Sequence, residues 1–243
     1  MNTREKTSRL IEYCGGKVID DRYVIEPGVI LISRTQNVIP ENISELFHLT
    51  DENKQLAELN ARITYMNFNE PRPNYVEDII NNKKHQSILS NINLGFLIAG
   101  VKGETLLEFT SSSANISRQT TSRTRSADDT LYVVREGDIP FIEEYLKLRT
   151  EYLSAHPEEQ DKDDIEKRNE FNLFTKAMSF TVSMNLYDWV YYVDKKIIQD
   201  YEYEFKDICR RIKAIIKKEY PYVEFESDKP VKKLKYSNPV SNN

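Results

Sequence analysis

The apolar run from Ile92 to Val101 gives way, one short helix later, to a stretch too polar to be core, running from Ser111-Ser112-Ser113 to Arg123. No other feature constrains the fold as much. Within the apolar run, Ile92–Ala99 mixes period-two alternation with near-continuous apolarity and reads as a strand. Residues 102–109 are predicted to form a short helix, with a loop starting at Thr110. That loop is crowded with Ser and Thr, carries Arg118, Arg123 and Arg125, and contains no proline. Hydroxyls donate or accept as needed and guanidinium forks carry fixed charge, so an ordered loop of this composition suits an anion.

Composition narrows what such a site can serve. A chain of 243 residues with 39% apolar content can bury one substantial core, as a single domain or two joined lobes. Its net charge of −5 provides no basic field of the kind that draws proteins to nucleic acid. Cys14 and Cys209 lie far apart, and His48, His85 and His156 form no ligand-spaced set, so no metal site is expected. No apolar run approaches the ~20 residues of a membrane span, and the first residues lack a signal peptide's apolar core. A reduced, cytoplasmic setting with no membrane partner is the expectation. The fifteen tyrosines are scattered and read as half-buried core or interface positions.

In chain order, residues 1–27 are polar and offer at most a hairpin, Lys17–Ile19 and Arg22–Ile25 around Asp20-Asp21. Gly28–Ser33 reads as the first core strand, buried on both faces. Thr50–Asn53 resembles a cap ahead of a helix through Leu56, Leu59, Ile63 and Tyr65, and residues 75–82 form a short helix. Leu131–Val134 is a strand candidate. Asp138 is expected to cap a helix through Tyr152 with Ile142, Tyr145, Leu146 and Leu148 inward, followed by a charged connector, 156–167. Ala177–Met184 alternates as a strand, and helices follow over 186–198 and 201–220. In the second of these, Phe205, Ile208, Cys209, Ile212, Ile215 and Ile216 face inward, and Lys206, Arg210, Arg211, Lys213 and Lys217 form a solvated stripe. Tyr222–Phe225 is an edge-strand candidate before a basic tail.

Laid along the chain without gaps, the polar stretch resembles the signature region of the flavin-dependent thymidylate synthases. His85 and Ser87 match that family's Gly-His-x-Ser opening, Gln119 its Glu or Gln, Thr121 its serine and Arg123 its final arginine. Ser111, Ser112 and Ser113 stand where the family has Arg-His-Arg, and Ser90-Asn91 replaces Glu-His. Asn60–Tyr65 is similar to an Ala-Ala-Arg-Val-Ser-Tyr helix end. Further on, Asn185 matches an asparagine, Tyr187 stands in place of an arginine, and Trp189 matches an aromatic. Lys196 takes the position of an essential arginine, Glu204-Phe205-Lys206 that of Glu-Ile-Arg, and Tyr220-Pro221 closes the match.

This resemblance spans about residues 28–226, with 1–27 as an N-terminal extension and 227–243 as a polar tail. It implies an α/β (α+β) fold with a central sheet flanked by long helices, assembled as a homotetramer. It also implies methylation of a deoxyuridine nucleotide, with FAD as cofactor and NADPH and methylene-tetrahydrofolate as co-substrates. Substrate binding falls to Gln119, Thr121, Arg123 and Lys196, with Lys196 also in the catalytic position. Cofactor binding falls to His85, Ser87, Ser111, Ser112, Ser113 and Asn185. Exchanging two arginine forks for serines removes charge from the flavin side, which implies FAD binding that is weakened or lost. The alternative is a catalytically silent nucleotide-binding homologue, acting as a sensor or as partner subunit to an active paralogue. Taken without the resemblance, His85 reads as a structural histidine and the loop arginines as solvated.

Overall fold

The computed structural model describes residues 1–49, 51–68, 72, 74–110, 115–119, 130–156, 175–199 and 202–229. Its frame is an antiparallel sheet in the order β3-β4-β8-β5, formed by β3 (Gly28–Arg34), β4 (Asn93–Val101), β5 (Asn115–Gln119) and β8 (Met178–Asn185). The inner strand β4 is buried along nearly its whole length, which accounts for its unbroken apolarity. In β8 the alternation divides two faces. Phe180, Val182 and Met184 are buried, and Ser179, Thr181 and Ser183 stand half-buried opposite.

The helices α7 (Leu186–Ile198) and α8 (Tyr203–Glu219) pack on the apolar face. Asn185 starts α7, its side chain accepting the Asp188 N–H at 2.8 Å. On α8, Phe205, Ile208, Cys209, Ile212 and Ile216 are buried, as the helical spacing requires. Trp189 is fully buried and donates its indole N–H to Leu94 O at 3.1 Å, tying α7 to the inner strand. Between β4 and β5 runs α5 (Gly103–Thr110). A carboxylate from another helix serves the start of α5, because Glu204 accepts the Lys102 N–H at 3.0 Å and the Thr105 hydroxyl at 2.5 Å. Among the described residues no helix is long and apolar enough to cross a membrane.

A second sheet, β1-β2-β6-β7, is built from β1 (Lys17–Ile19), β2 (Tyr23–Glu26), β6 (Tyr132–Val133) and β7 (Thr175–Lys176), with β2 and β6 parallel. The chain steps between the sheets at Pro27. There α1 (Thr3–Tyr13) packs so closely that a Cβ on Gly28 would lie 2.5 Å from Cys14 Cβ. Also present are α2 (Glu41–Leu46), α3 (Gln55–Thr64), α4 (Tyr75–Glu77, continuing as a π-turn over Asp78–Asn82), a 3₁₀ turn at Gln86–Leu89 and α6 (Ile139–Ala155).

Several sequence expectations are corrected. Residues 3–13 are helical, held by a capping box between Asn2 and Glu5. β3 is an edge strand that grows exposed toward Arg34, so the strand buried on both faces is β4. Residues 115–119 form a strand rather than a loop, because β8 offers them an edge. Asp138 makes no side-chain capping hydrogen bond to α6, the turn ahead of α3 is closed by the Asp51 carboxylate accepting the Asn53 N–H at 3.0 Å, and Leu148 faces outward at 57% exposure. Tyr222–Phe225 is not a strand, and its Tyr222, Val223 and Phe225 side chains join the core while Glu224 stays exposed. The basic stripe of α8 is ion-paired where Arg211 meets Asp207 and Glu26, and where Lys213 and Lys217 meet Asp228. The connector from 157 and the tail from 230 lie outside the described residues.

Trp189→Ala is expected to cost about 3–5 kcal/mol, measured as a lowered denaturation midpoint, since it removes the largest buried ring and leaves a cavity against β4. Glu204 carries a second expectation. Burial pushes its carboxyl above the ordinary value, partly offset by the Thr105 hydroxyl and the Lys102 amide. The folded chain therefore holds this proton more tightly than the unfolded one, so the contribution is complete below the ordinary carboxylate pKa and lost as pH rises through the folded value. Denaturation of Glu204→Gln beside the wild type should show the difference moving in favour of the variant as pH rises from about 4 to 7.

Candidate functional site

The candidate residues that the structure describes fall at two ends of the large sheet. One end is where β4 begins and β8 finishes, with Asn93 and Asn185 as register partners. The Leu186 N–H donates to Ile92 O at 2.6 Å there, and the turn Gln86–Leu89 brings His85 and Ser87 to the same end. Lys84 takes the left-handed conformation at φ +61° and pairs with Glu226 at 2.8 Å. Lys229 and Lys84 together hold the Glu226 carboxyl down at about 2. His85 and Ser87 are exposed. The His85 ring meets Tyr65 edge-on at 5.7 Å, and Lys83 Nζ stands 5.8 Å from the centre of the same tyrosine ring.

Asn60, on α3, fixes this corner by donating to Ile88 O at 2.8 Å and accepting from Asn91 Nδ2 at 3.2 Å. Next along α3, Arg62 is a buried guanidinium paired with Glu58 at 2.8 Å and stacked 5.0 Å from the Tyr75 ring centre. Asn185 is engaged by its own helix. Its Oδ1 accepts the Asp188 N–H and its Nδ2 donates to Asp188 Oδ2, both at 2.8 Å.

The other end lies about 17 Å away, the rise of β8 from Phe180 to Asn185. α7 runs back over about 16 Å to place Lys196 there. The backbone of Gln119 pairs with Phe180, whose ring lies 5.4 Å from Phe109. Beside Phe109, Glu108 holds the Lys196 ammonium at 3.1 Å, and its carbonyl accepts the Tyr192 hydroxyl at 3.0 Å. Lys196 is buried and sits 5.4 Å from the centres of both the Tyr192 and Phe205 rings. Glu108 is 40% exposed. Ser111, Ser112, Ser113, Thr121 and Arg123 lie outside the described residues.

Chemically, the Lys196 end is a cation on an aromatic wall with a carboxylate able to turn outward, an arrangement that can take up an anion. The His85 end offers imidazole, hydroxyl and amide groups. Sequence reasoning missed Glu108, Asn60 and Lys83, all of which gain meaning only from partners distant in the chain. Among the described residues no three His, Cys, Asp or Glu side chains are placed to hold a metal.

No protein-family model matches the sequence, and no curated protein matches it. Solved structures do match in shape. The chain is similar to the flavin dependent thymidylate synthase ThyX from Helicobacter pylori, in a crystal structure complexed with FAD and dUMP. That likeness has a TM-score of 0.54 at 16% identity, over 82% of this chain and 98% of the other. It is similar also to the UMP/dUMP methylase PolB from Streptomyces cacaoi, bound with 5-Br UMP, with a TM-score of 0.54 at 9% identity over 83% and 93%. At these identities the likeness is one of fold, and the fold of this mixed helix-and-sheet chain is that of the flavin-dependent thymidylate synthases.

Proposed function

We propose that this chain binds a uridine-type nucleoside monophosphate, deoxyuridylate or uridylate, at the end of the sheet where Lys196 and Gln119 stand. The observation that carries this reading is the return of α7, which sets the buried Lys196 and its exchangeable partner Glu108 near the backbone of Gln119. Thr121 and Arg123 follow Gln119 closely in the sequence and supply a hydroxyl and a guanidinium for the phosphate. The structural neighbours complexed with dUMP and 5-Br UMP support the choice of ligand.

The flavin side is weaker. Asn185 is occupied by its own helix, and Ser87 and the serines 111–113 carry no charge. Paired arginine bonds of about 1.5–3 kcal/mol each are missing at 111 and 113, so FAD is held weakly by His85, Ser87 and the serine run. A bound flavin would pass hydride from NADPH while methylene-tetrahydrofolate supplied the carbon for pyrimidine methylation. The second reading, a catalytically silent nucleotide-binding homologue serving as sensor or partner to an active paralogue, is favoured by the engagement of Asn185 and by lysine at position 196. Lysine keeps charge without the planar fork that orients a base. The two ends lie about 17 Å apart along β8, a separation that assembling the flavin and nucleotide halves from different copies of the chain would close, in keeping with the homotetramer the resemblance implies.

Calorimetric titration with dUMP and UMP is the test. Arg123→Ala and Lys196→Ala are each expected to weaken binding about tenfold or more, ~1.5 kcal/mol, with Arg125→Ala as the unaffected control. A wild-type chain that takes up neither nucleotide at millimolar concentration would overturn the reading. For the flavin side, the triple change Ser111→Arg, Ser112→His, Ser113→Arg should tighten FAD binding, followed by quenching of flavin fluorescence. Unchanged affinity in a folded triple variant would remove the serine run from the cofactor site.

A further inference from the structure

The parallel pair β2 and β6 separates just beyond the bond from the Val134 N–H to Val24 O, at 3.0 Å. From there β2 leaves through Pro27 into the large sheet, and β6 leaves through Arg135 toward α6. Crevices at the carboxyl ends of neighbouring parallel strands, where connections depart in different directions, are where open α/β sheets bind ligands. Here the crevice is a cleft of ≈1150 Å³, closed at its sides by the first turns of α6 and α8. That volume suffices for a small organic molecule. Ile25, Val133, Val134 and Ile142 make its apolar lining, and two rings stand largely in solvent at its walls, Phe141 at 64% and Tyr203 at 79% exposure.

Charge selects the class of occupant. Among the described residues, Glu26, Asp138, Glu202, Glu204 and Asp207 line the cleft against Lys102, Arg135 and Arg211, and since burial favours the neutral form of Glu204 the surplus rests on the other four carboxylates against three cations. Lys102 is bound by Glu202 at 2.7 Å, and Arg211 by Asp207 at 2.7 Å and Glu26 at 3.2 Å. The buried Glu204 carboxylate accepts its hydrogen bonds from neutral donors, the Lys102 amide and the Thr105 hydroxyl. Asp138 makes no capping bond to α6. Aromatic faces beside surplus carboxylates attract a cation that carries an apolar body. From this geometry we infer that the cleft is a second ligand site, separate from the nucleotide end, that takes a small organic cation with a planar or alkyl body. Lys102 and Glu108 lie at opposite ends of α5, about 9 Å of helix rise apart, so the two sites share a helix and no lining side chain named for either.

The test uses the full chain and three probes with one ring system and different charges. Calorimetry should show tryptamine binding at least about fivefold more tightly than tryptophol, with indole-3-acetate the weakest. Phe141→Ala and Tyr203→Ala should each weaken tryptamine binding about threefold or more, and Asp138→Asn should narrow the gap between tryptamine and tryptophol. These side chains are exposed, so the variants are expected to melt at the wild-type temperature and to bind dUMP as the wild type does. Equal affinity for all three probes, no uptake of tryptamine at millimolar concentration, or unchanged binding in both aromatic variants would overturn the assignment. Loss of dUMP binding in wild type with tryptamine binding intact would strike only the nucleotide reading.

Discussion

The ring of Phe109 is the contact on which the rest of the molecule turns. It lies 5.2 Å from Phe205, 5.4 Å from Phe180 and 5.6 Å from Tyr192, so a single side chain at the end of α5 touches β8, α7 and α8 together. Trp189 extends the cluster to Phe96 at 5.0 Å and anchors it by its bond to Leu94 O. Offset and edge-on rings of this kind add about 0.5–1.5 kcal/mol per pair beyond the area they bury. The functional consequence is local. Because Glu108 precedes Phe109 and Tyr192 donates to its carbonyl, the cluster that holds the helices together also sets where the Lys196 ammonium meets its partner.

The second sheet is joined to this core by close backbone approach and by one guanidinium. Gly100 adopts φ +80° where β4 bulges, and a Cβ there would meet Val24 at 2.9 Å and Ile11 at 3.1 Å, so only glycine lets α1 and β2 settle against the strand. Across the joint, Arg211 on α8 donates to Gly15 O at 3.1 Å and to the Glu26 carboxylate at 3.2 Å while paired with Asp207 on its own helix. Asp194 does comparable work for the other end of the chain. Its buried carboxylate takes the Glu226 and Ser227 N–H groups and the Ser227 hydroxyl, which holds the segment after α8 against α7.

Elements whose burial is dictated by one face of the core were legible in the sequence. The limits of α7 and the inward face of α8 follow from their apolar spacing, and β8 follows from its alternation. What sequence could not supply was the partner. The run Gly28–Ser33 is apolar enough for an inner strand, yet pairing places it at an edge, and nothing local to Asn115–Gln119 announces that β8 offers it hydrogen bonds. The helix Thr3–Tyr13 was readable from Asn2 and Glu5 but hidden by polarity, since only Ser8 and Ile11 along it are buried. Matching residue types by position brought His85, Ser87 and Asn185 to one end of the sheet and Gln119 and Lys196 to the other. It could not reveal that Asn185 is taken up by the first turn of its own helix.

Lys196 and Glu108 are an unequal pair, and the inequality bears on how an anion would enter. A buried ammonium without a counter-charge is strongly unfavourable, so something must face Lys196 whether or not a ligand is present. Two aromatic rings and the body of α7 confine it, leaving the ammonium little freedom to move. Glu108 is 40% exposed and stands near the end of a short helix, so it can turn into water and regain most of its hydration. An incoming anion would therefore exchange with the carboxylate rather than add to it, and the net gain would be the difference between two charge-assisted bonds instead of a whole one. Affinity for an anion at this end would then depend on additional donors around it, the role proposed for the hydroxyl and guanidinium groups that follow Gln119 in the sequence.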